Sequence, residues 1–381
     1  MAFDALEVRP DCRHYIGYKP CGFRESCAGC PHYDPCGERI LIIKLGAAGD
    51  VIRTTPILRP LRQRESPCHV TWLTDPISVV LLRETGPIDR LLAYSAETCM
   101  ILQAEPFDLL INFEKEPRAL ALAKLVEAKR KVGFGPAPNG ALFVFNPESL
   151  YALRLGLSDE LKFRLNQKTY PEIVFEMIGL NYRGEEYEIG LSEKARRFGE
   201  DFARRHGLDG ALPVVGLNTG CGEVFQTKQW TVEGFAGLIR ALRQRADCRV
   251  MLLGGPREVE FNRSVAAEAG PGLIDSRCDN ALEDFTGIVG LCDVVVSADT
   301  MALHIAIGLK KEVVALFGPT CHQEVGLFGR GEKILTDFDC SPCYRQTCPK
   351  DVSCMTALEA STVAEAVERR LEALRAAANR R

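Results

Sequence analysis

A chain of 381 residues is too long for one ordinary domain and suits two of roughly 150 residues each. Its 46% hydrophobic and 26% charged residues exclude disordered and fibrous classes. The 47 Lys and Arg against 51 Asp and Glu leave a net charge of -4, which excludes nucleic-acid binding by bulk charge. No run of about 18 apolar residues occurs. Asp4, Glu7, Arg9 and Asp11 near the start leave no apolar block, so neither a membrane span nor a secretory signal is expected, and the compartment is expected to be the cytoplasm. The unusual number is cysteine, at 16 residues. In a reducing compartment clustered cysteines read as metal ligands or redox groups, and scattered ones as small core residues.

In chain order, residues 1–38 are polar, punctuated by Pro and Gly, and lack periodicity; such an extension needs a metal or docking to order it. Ile40-Leu41-Ile42-Ile43 is a buried parallel strand in pattern, followed by the glycine loop Gly46 to Asp50 and a helix opening at Thr54-Thr55-Pro56. Val70–Leu73 predicts a strand, Ile77–Glu84 a helix, Arg90–Ala93 and Leu109–Phe113 strands, Arg118–Ala128 a helix and Lys131–Phe134 a strand. Residues 135–161 read as a long functional loop or an acceptor-side insertion, and 167–206 as helix in two pieces. A second module starts at Pro213–Asn218, with the loop Thr219-Gly220-Cys221-Gly222 and an amphipathic helix over Thr231–Arg245. Strands at Arg249–Leu253, Asp293–Ser297 and Glu312–Phe317 follow, and a charged helix over Ala360–Ala377 closes the chain. The expected organisation is a Cys-rich extension at 1–38, an acceptor domain at 39–208, a donor domain at 209–358 and a returning helix at 359–381. The fold class is α/β, two Rossmann-like doubly wound domains facing across a cleft.

Ligands of such sheets bind beyond the carboxyl ends of the strands. Gly46-Ala47-Ala48-Gly49 is not Gly-x-Gly-x-x-Gly, and no P-loop sequence occurs, which disfavours dehydrogenases and P-loop nucleotidases. An ordered set does occur: Ile43 to Asp50 with Thr55-Pro56, Lys228-Gln229-Trp230, Gly254-Gly255-Pro256-Arg257-Glu258, Asp299-Thr300 with His304-Ile305-Ala306, and Leu316 to Thr320. This set resembles glycosyltransferase family 9, the ADP-heptose:lipopolysaccharide heptosyltransferases, over about Arg39 to Arg370. The resemblance implies a GT-B architecture whose last helix crosses back onto the first domain. It also implies inverting transfer of a heptose or related sugar from an ADP-sugar to a lipopolysaccharide-core-like saccharide, with no cofactor required.

Inversion at a sugar carbon needs a base for the acceptor hydroxyl and positive charge for the leaving diphosphate. Asp50 is the candidate base and Lys228 the cation. Gly46, Gly49, Thr219, Gly254, Gly255, Glu258, Asp299, Thr300, Met301, Ala302 and His304 are candidate donor contacts, with helix N-termini cradling the pyrophosphate. Met301 departs from the family, which usually has glycine there; its side chain narrows the space beside the phosphates. A helix charge for Asp50, a solvated Lys228, an N-cap Asp299 and a core His304 are the competing structural roles, and Trp230 reads as packing. Arg53, Arg59, Arg62 and Arg64 face either anionic lipid or acceptor core phosphates, at a membrane surface visited from the cytoplasm, or plain solvent.

Cys12, Cys21, Cys27 and Cys30, with Cys36, His14 and His32 in reserve, suit structural zinc or equally an iron–sulfur cluster. Cys340, Cys343, Cys348 and Cys354 form a second candidate tetrad; by resemblance, autotransporter heptosyltransferases bind iron through such a set. Two other readings compete with lipopolysaccharide transfer. One is a relative that glycosylates a protein hydroxyl; the other is a metal- or redox-sensing binding protein on a degenerate transferase fold.

Overall fold

The computed structural model describes residues 7–24, 26–63, 67–86, 88–208, 210–222 and 224–378. Arg64 lies outside them. Two six-stranded sheets organise the chain. The first comprises β1 (Glu38–Ile43), β2 (Cys68–Thr74), β3 (Arg90–Ala93), β4 (Phe107–Asn112), β5 (Ala128–Pro136) and β6 (Leu142–Val144), in the order β3-β2-β1-β4-β5-β6. Its strands are parallel except β6, which returns antiparallel to β5. The second comprises β7 (Val214–Asn218), β8 (Arg249–Leu253), β9 (Ile274–Asp275), β10 (Val294–Ala298), β11 (Glu312–Leu316) and β12 (Gly331–Ile334). It is parallel throughout, in the order β12-β11-β10-β7-β8-β9.

The continuous apolar runs are explained by burial on both faces. Ile40 and Ile42 enter one core with Trp72 and Phe175, whereas Leu41 and Ile43 enter another with Leu73 and Leu110. A strand covered on one side only would alternate with polar residues. In the second sheet Val294 and Val296 likewise face one core and Val295 the other.

Six helices position the site or join the two units: α1 (Ala48–Thr54), α2 (Tyr170–Met177), α3 (Glu193–His206), α4 (Leu282–Leu291), α5 (Met301–Gly308) and α6 (Ala360–Ala378). Several expectations change. The first helix begins at Ala48, so Asp50 lies in its first turn rather than on the glycine loop. Pro56 marks only a short 3-10 interruption, because Pro fits the first turn of a helical segment, where its missing N–H is not needed. Of the two readings of 135–161 the loop fails, since the segment holds β6 and a helix at Leu150–Leu155 as an inserted element would. Helices at Ala96–Ala104, Val259–Ala269 and α4 escaped the periodicity reading.

The last helix was expected to return to the first domain. Instead Val363, Ala364, Val367 and Leu371 of α6 pack with Leu238, Val250 and Val296 in the second unit's core. α3, placed by sequence in the first domain, also packs on the second. A Cβ on Gly287 of α4 would stand 2.2 Å from the Ala195 carbonyl oxygen of α3, so only glycine permits this helix contact.

Candidate active site

A cavity of about 1090 Å³ opens between the carboxyl ends of the two sheets. On the first side β1 is followed by Lys44, whose Nζ lies 2.8 Å from Glu114 Oε1, just past β4. The same oxygen accepts the backbone N–H of Leu45 at 2.8 Å and of Gly46 at 3.0 Å. Glu114 therefore pins the turn that delivers α1. Burial works against the Lys44 ammonium, but Tyr170, Asp50 and Glu114 raise its pKa above the ordinary lysine value. Asp50 follows one turn later with its carboxylate open to the cavity, and Arg53 Nη1 donates to Asp50 Oδ1 at 3.0 Å. Lys115 and Lys162 face the same space.

On the second side Lys228 Nζ donates to the Asp299 backbone carbonyl at 2.7 Å, which brings the mid-chain lysine to the turn before α5. Thr300 is the N-cap of α5 in extended conformation and makes no side-chain cap bond; its hydroxyl meets Ser297 Oγ at 3.0 Å and Asn218 Nδ2 at 3.3 Å. The first amides of α5 thus remain available to an anion. His304 Nε2 lies 3.3 Å from Asp299 Oδ1. Burial lowers the His304 pKa and keeps the ring neutral. Burial also opposes charge on Asp299, yet the His304 hydrogen bond and the Arg53 and Lys228 charges hold it well below the usual carboxylate range.

Of the sequence candidates, Gly46, Gly49, Asp50, Lys228, Gly254, Gly255, Glu258, Asp299, Thr300, Met301, Ala302 and His304 all line this cavity. Thr219 does not. It is 1% exposed, and its hydroxyl is spent on the Leu253 carbonyl and on Asn262 Oδ1. Gly49 serves a purpose that spacing could not reveal: a Cβ there would lie 2.7 Å from His304 Cδ2, so the glycine admits the histidine ring from the opposite unit. Gly254 also makes room for protein, since its Cβ would meet Asn262 Nδ2 at 2.9 Å. Glu258 turns back to accept the Gly255 N–H at 2.8 Å. Trp230 is core, donating its indole N–H to the Leu358 carbonyl at 3.1 Å.

The arginine group divides. Arg53 is buried in the cleft, not presented to lipid. Arg59 pairs with Glu188 at 2.8 Å while remaining open to solvent, and Arg62 pairs with Asp89. Sequence reasoning missed Glu114, Lys115, Lys162, Glu324 and Tyr344 as cavity residues and misjudged Arg53. One local signal was available: Arg53 stands three residues after Asp50, on the same helical face.

The two cysteine groups differ in how they assemble. Among the described residues no three His, Cys, Asp or Glu side chains converge closely enough to hold a metal ion. In the extension Cys12 bridges to Pro35 through the backbone, and Phe23 sits between His14 and His32, with ring centroids at 4.9 and 3.9 Å. Cys340, Cys343, Cys348 and Cys354 do line one small cavity of about 50 Å³. Burial and the nearby Cys343, Cys348 and Cys340 thiols push the Cys354 thiol up, as thiols crowded together without a cation do. No step below runs through a metal.

Residues 100–353 match the family described as Glycosyltransferase family 9 (heptosyltransferase). The chain is 22% identical over 306 residues to the lipopolysaccharide core heptosyltransferase OpsX of Haemophilus influenzae, covering 75% of this chain and 81% of that protein. Its fold is similar to that of a family 9 glycosyltransferase from Veillonella parvula, with a TM-score of 0.70, 19% identity and coverage of 88% of this chain and 97% of that one. It is similar also to ADP-heptose LPS heptosyltransferase II of E. coli, with a TM-score of 0.66, 15% identity and coverage of 88% and 99%. Matched over two thirds of its length, with the two parallel-sheet units of its relatives, the chain belongs to glycosyltransferase family 9 and is a glycosyltransferase.

Proposed function

We propose that the protein transfers heptose, with inversion, from ADP-heptose to a saccharide acceptor of lipopolysaccharide-core type at the cytoplasmic face of a membrane. The observation that carries this reading is the pairing, in one cavity, of an open carboxylate on α1 with the Lys228–Asp299–Thr300 turn at the start of α5. Asp50 takes the proton of the acceptor hydroxyl. The oxygen forms a bond to the anomeric carbon, the bond from that carbon to the phosphate oxygen breaks, and ADP leaves toward Lys228 and the α5 amides. Met301, the first residue of α5, borders the phosphate side and shapes donor choice.

The first unit binds the acceptor and the second the donor. Lys115 and Lys162 support an anionic acceptor: both face the cavity, and none of the ion pairs among the described residues gives either a carboxylate partner within 4.0 Å. Burial and the Lys162 charge both push the Lys115 ammonium pKa down, so an incoming anion would relieve a repulsion already present. The test incubates the full chain with ADP-heptose and heptose-free lipopolysaccharide core, measuring ADP release and the mass of the saccharide. One added heptose per acceptor is expected. Consumption of a different nucleotide sugar, with ADP-heptose untouched, would overturn the donor assignment.

A further inference from the structure

We propose that Arg53 is a positioning residue that holds Asp50 for proton transfer and does so most rigidly while the second unit is closed against the first. The inference rests on Asp50 being the base, as proposed above. Arg53 belongs to α1, yet its guanidinium reaches both halves of the molecule. Nη1 donates to Asp50 Oδ1 at 3.0 Å, and Nη2 donates to the backbone carbonyl of Glu324 at 2.9 Å, 271 residues away. Glu324 Oε2 lies 3.9 Å from Nη2. The guanidinium carbon stacks 4.3 Å from the centre of the Tyr170 ring of α2. The Arg53 side chain is 8% exposed, whereas that of Asp50 is 38% exposed. The arginine is therefore clamped and the carboxylate presented.

This geometry divides the labour between the two oxygens of Asp50. Oδ1 is occupied by Arg53, which leaves Oδ2 to accept the substrate proton. The acceptor O–H bond breaks toward Oδ2 as the new C–O bond forms; Arg53 gives up no proton and keeps its charge throughout. Because the second anchor of the guanidinium is a carbonyl of the opposite unit, opening the cleft releases one of its hydrogen bonds and loosens the carboxylate with it. Catalytic competence is thereby tied to closure, so an open enzyme holds its base less rigidly. The Glu324 carboxyl, raised by burial, sits within the same enclosed contact.

The test uses the full chain with Arg53→Ala and Arg53→Lys. A misplaced reacting group costs on the order of a hundredfold, so kcat of Arg53→Ala should fall about that far while the Kd for ADP changes less than about threefold. Arg53→Lys, which keeps one charge-assisted bond, should recover about tenfold, and added ethylguanidinium should raise kcat of Arg53→Ala but not of the wild type. Closure is read separately by small-angle scattering of the ligand-free proteins. Arg53→Ala should have a larger radius of gyration than the wild type, and this readout remains decisive if ADP-heptose proves not to be the donor. An unchanged kcat in Arg53→Ala, or equal radii for variant and wild type, overturns the proposal. Should Arg53→Ala fail to fold, Arg53→Lys decides: full wild-type kcat refutes the role, and reduced kcat at unchanged ADP affinity sustains it. Wild-type inactivity toward ADP-heptose, with the radii differing as stated, would sink the functional reading and leave the closure contact standing.

Discussion

Glu114→Ala removes three contacts at one oxygen: the Lys44 ammonium at 2.8 Å, the Leu45 amide at 2.8 Å and the Gly46 amide at 3.0 Å. The side chains of Lys44 and Glu114 are only 5% and 7% exposed, so the lysine left behind is a buried charge without its partner. Breaking such a pair by removing one member costs about 3–5 kcal/mol. For a unit of 150–250 residues at about 2–4 °C per kcal/mol, the melting point of the first unit should drop by roughly 6–20 °C. Scanning calorimetry and urea titration measure it. The double variant Lys44→Met/Glu114→Leu should recover the part of the loss due to the stranded charge, because apolar replacement of an ion pair is close to neutral, but not the part due to the Leu45 and Gly46 amides, which stay unpaired. The sign with pH also follows. The folded pKa of Lys44 is raised above 10.5, so the stabilisation is fully present below that pH and is lost only as pH rises through the folded value. A cost under about 1 kcal/mol for Glu114→Ala, or a double variant less stable than both singles, would refute the reasoning.

Three further outcomes are expected. Gly49→Ala places a methyl 2.7 Å from the His304 ring, a strain of about 1–3 kcal/mol that falls on the closed cleft; kcat/KM should drop about tenfold or more with the melting point of either unit little changed, and unaltered kinetics would contradict the packing role of this glycine. Burial lowers the His69 pKa from 6.5, against the pull of Asp89, so His69 contributes stability that is present above pH 6.5 and lost as pH falls through the folded value. Urea titrations of His69→Gln between pH 7 and 5.5 should show a shallower loss than the wild type, and parallel curves would refute this. Titration of native thiols should find Cys340 and Cys348, both exposed, reacting first, and Cys292, fully buried with its thiol pushed up to about 12, reacting only on unfolding; early loss of Cys292 would contradict the packing of β7 against α4.

The parts of this molecule legible in its sequence are those fixed by neighbours in the chain. Ile40 to Ile43 announces a doubly covered strand because every position is apolar, and Asp50 and Lys228 stand out because glycine, proline and tryptophan punctuate the chain beside them. The residues that escaped notice owe their roles to partners far away. Arg53 looks like one of four arginines on a helix face until Glu324 and Tyr170 enclose it. Glu114 is a lone acid after a strand until Lys44 is placed opposite, and Gly49 seems to wait for a ligand until His304 arrives from the other unit. The returning helix was misjudged for the same reason: an amphipathic stripe states that a face is buried, not against what. Cys-x2-Cys spacing fixes a turn, but whether thiols farther apart in the chain meet at one point depends on packing that spacing does not encode.

The central claim is that Asp50 accepts the acceptor proton while the opposite wall of the cavity holds the nucleotide. Asp50→Asn keeps the side chain's shape and its contact with Arg53 through the amide oxygen, and removes only the capacity to take a proton. Single-turnover transfer from ADP-heptose, measured beside ADP binding by calorimetry, tests this most directly. The account predicts a fall in rate of about 10²–10⁴ with ADP affinity unchanged within about twofold. Transfer at the wild-type rate in Asp50→Asn, or ADP affinity lost in parallel with activity, would contradict it.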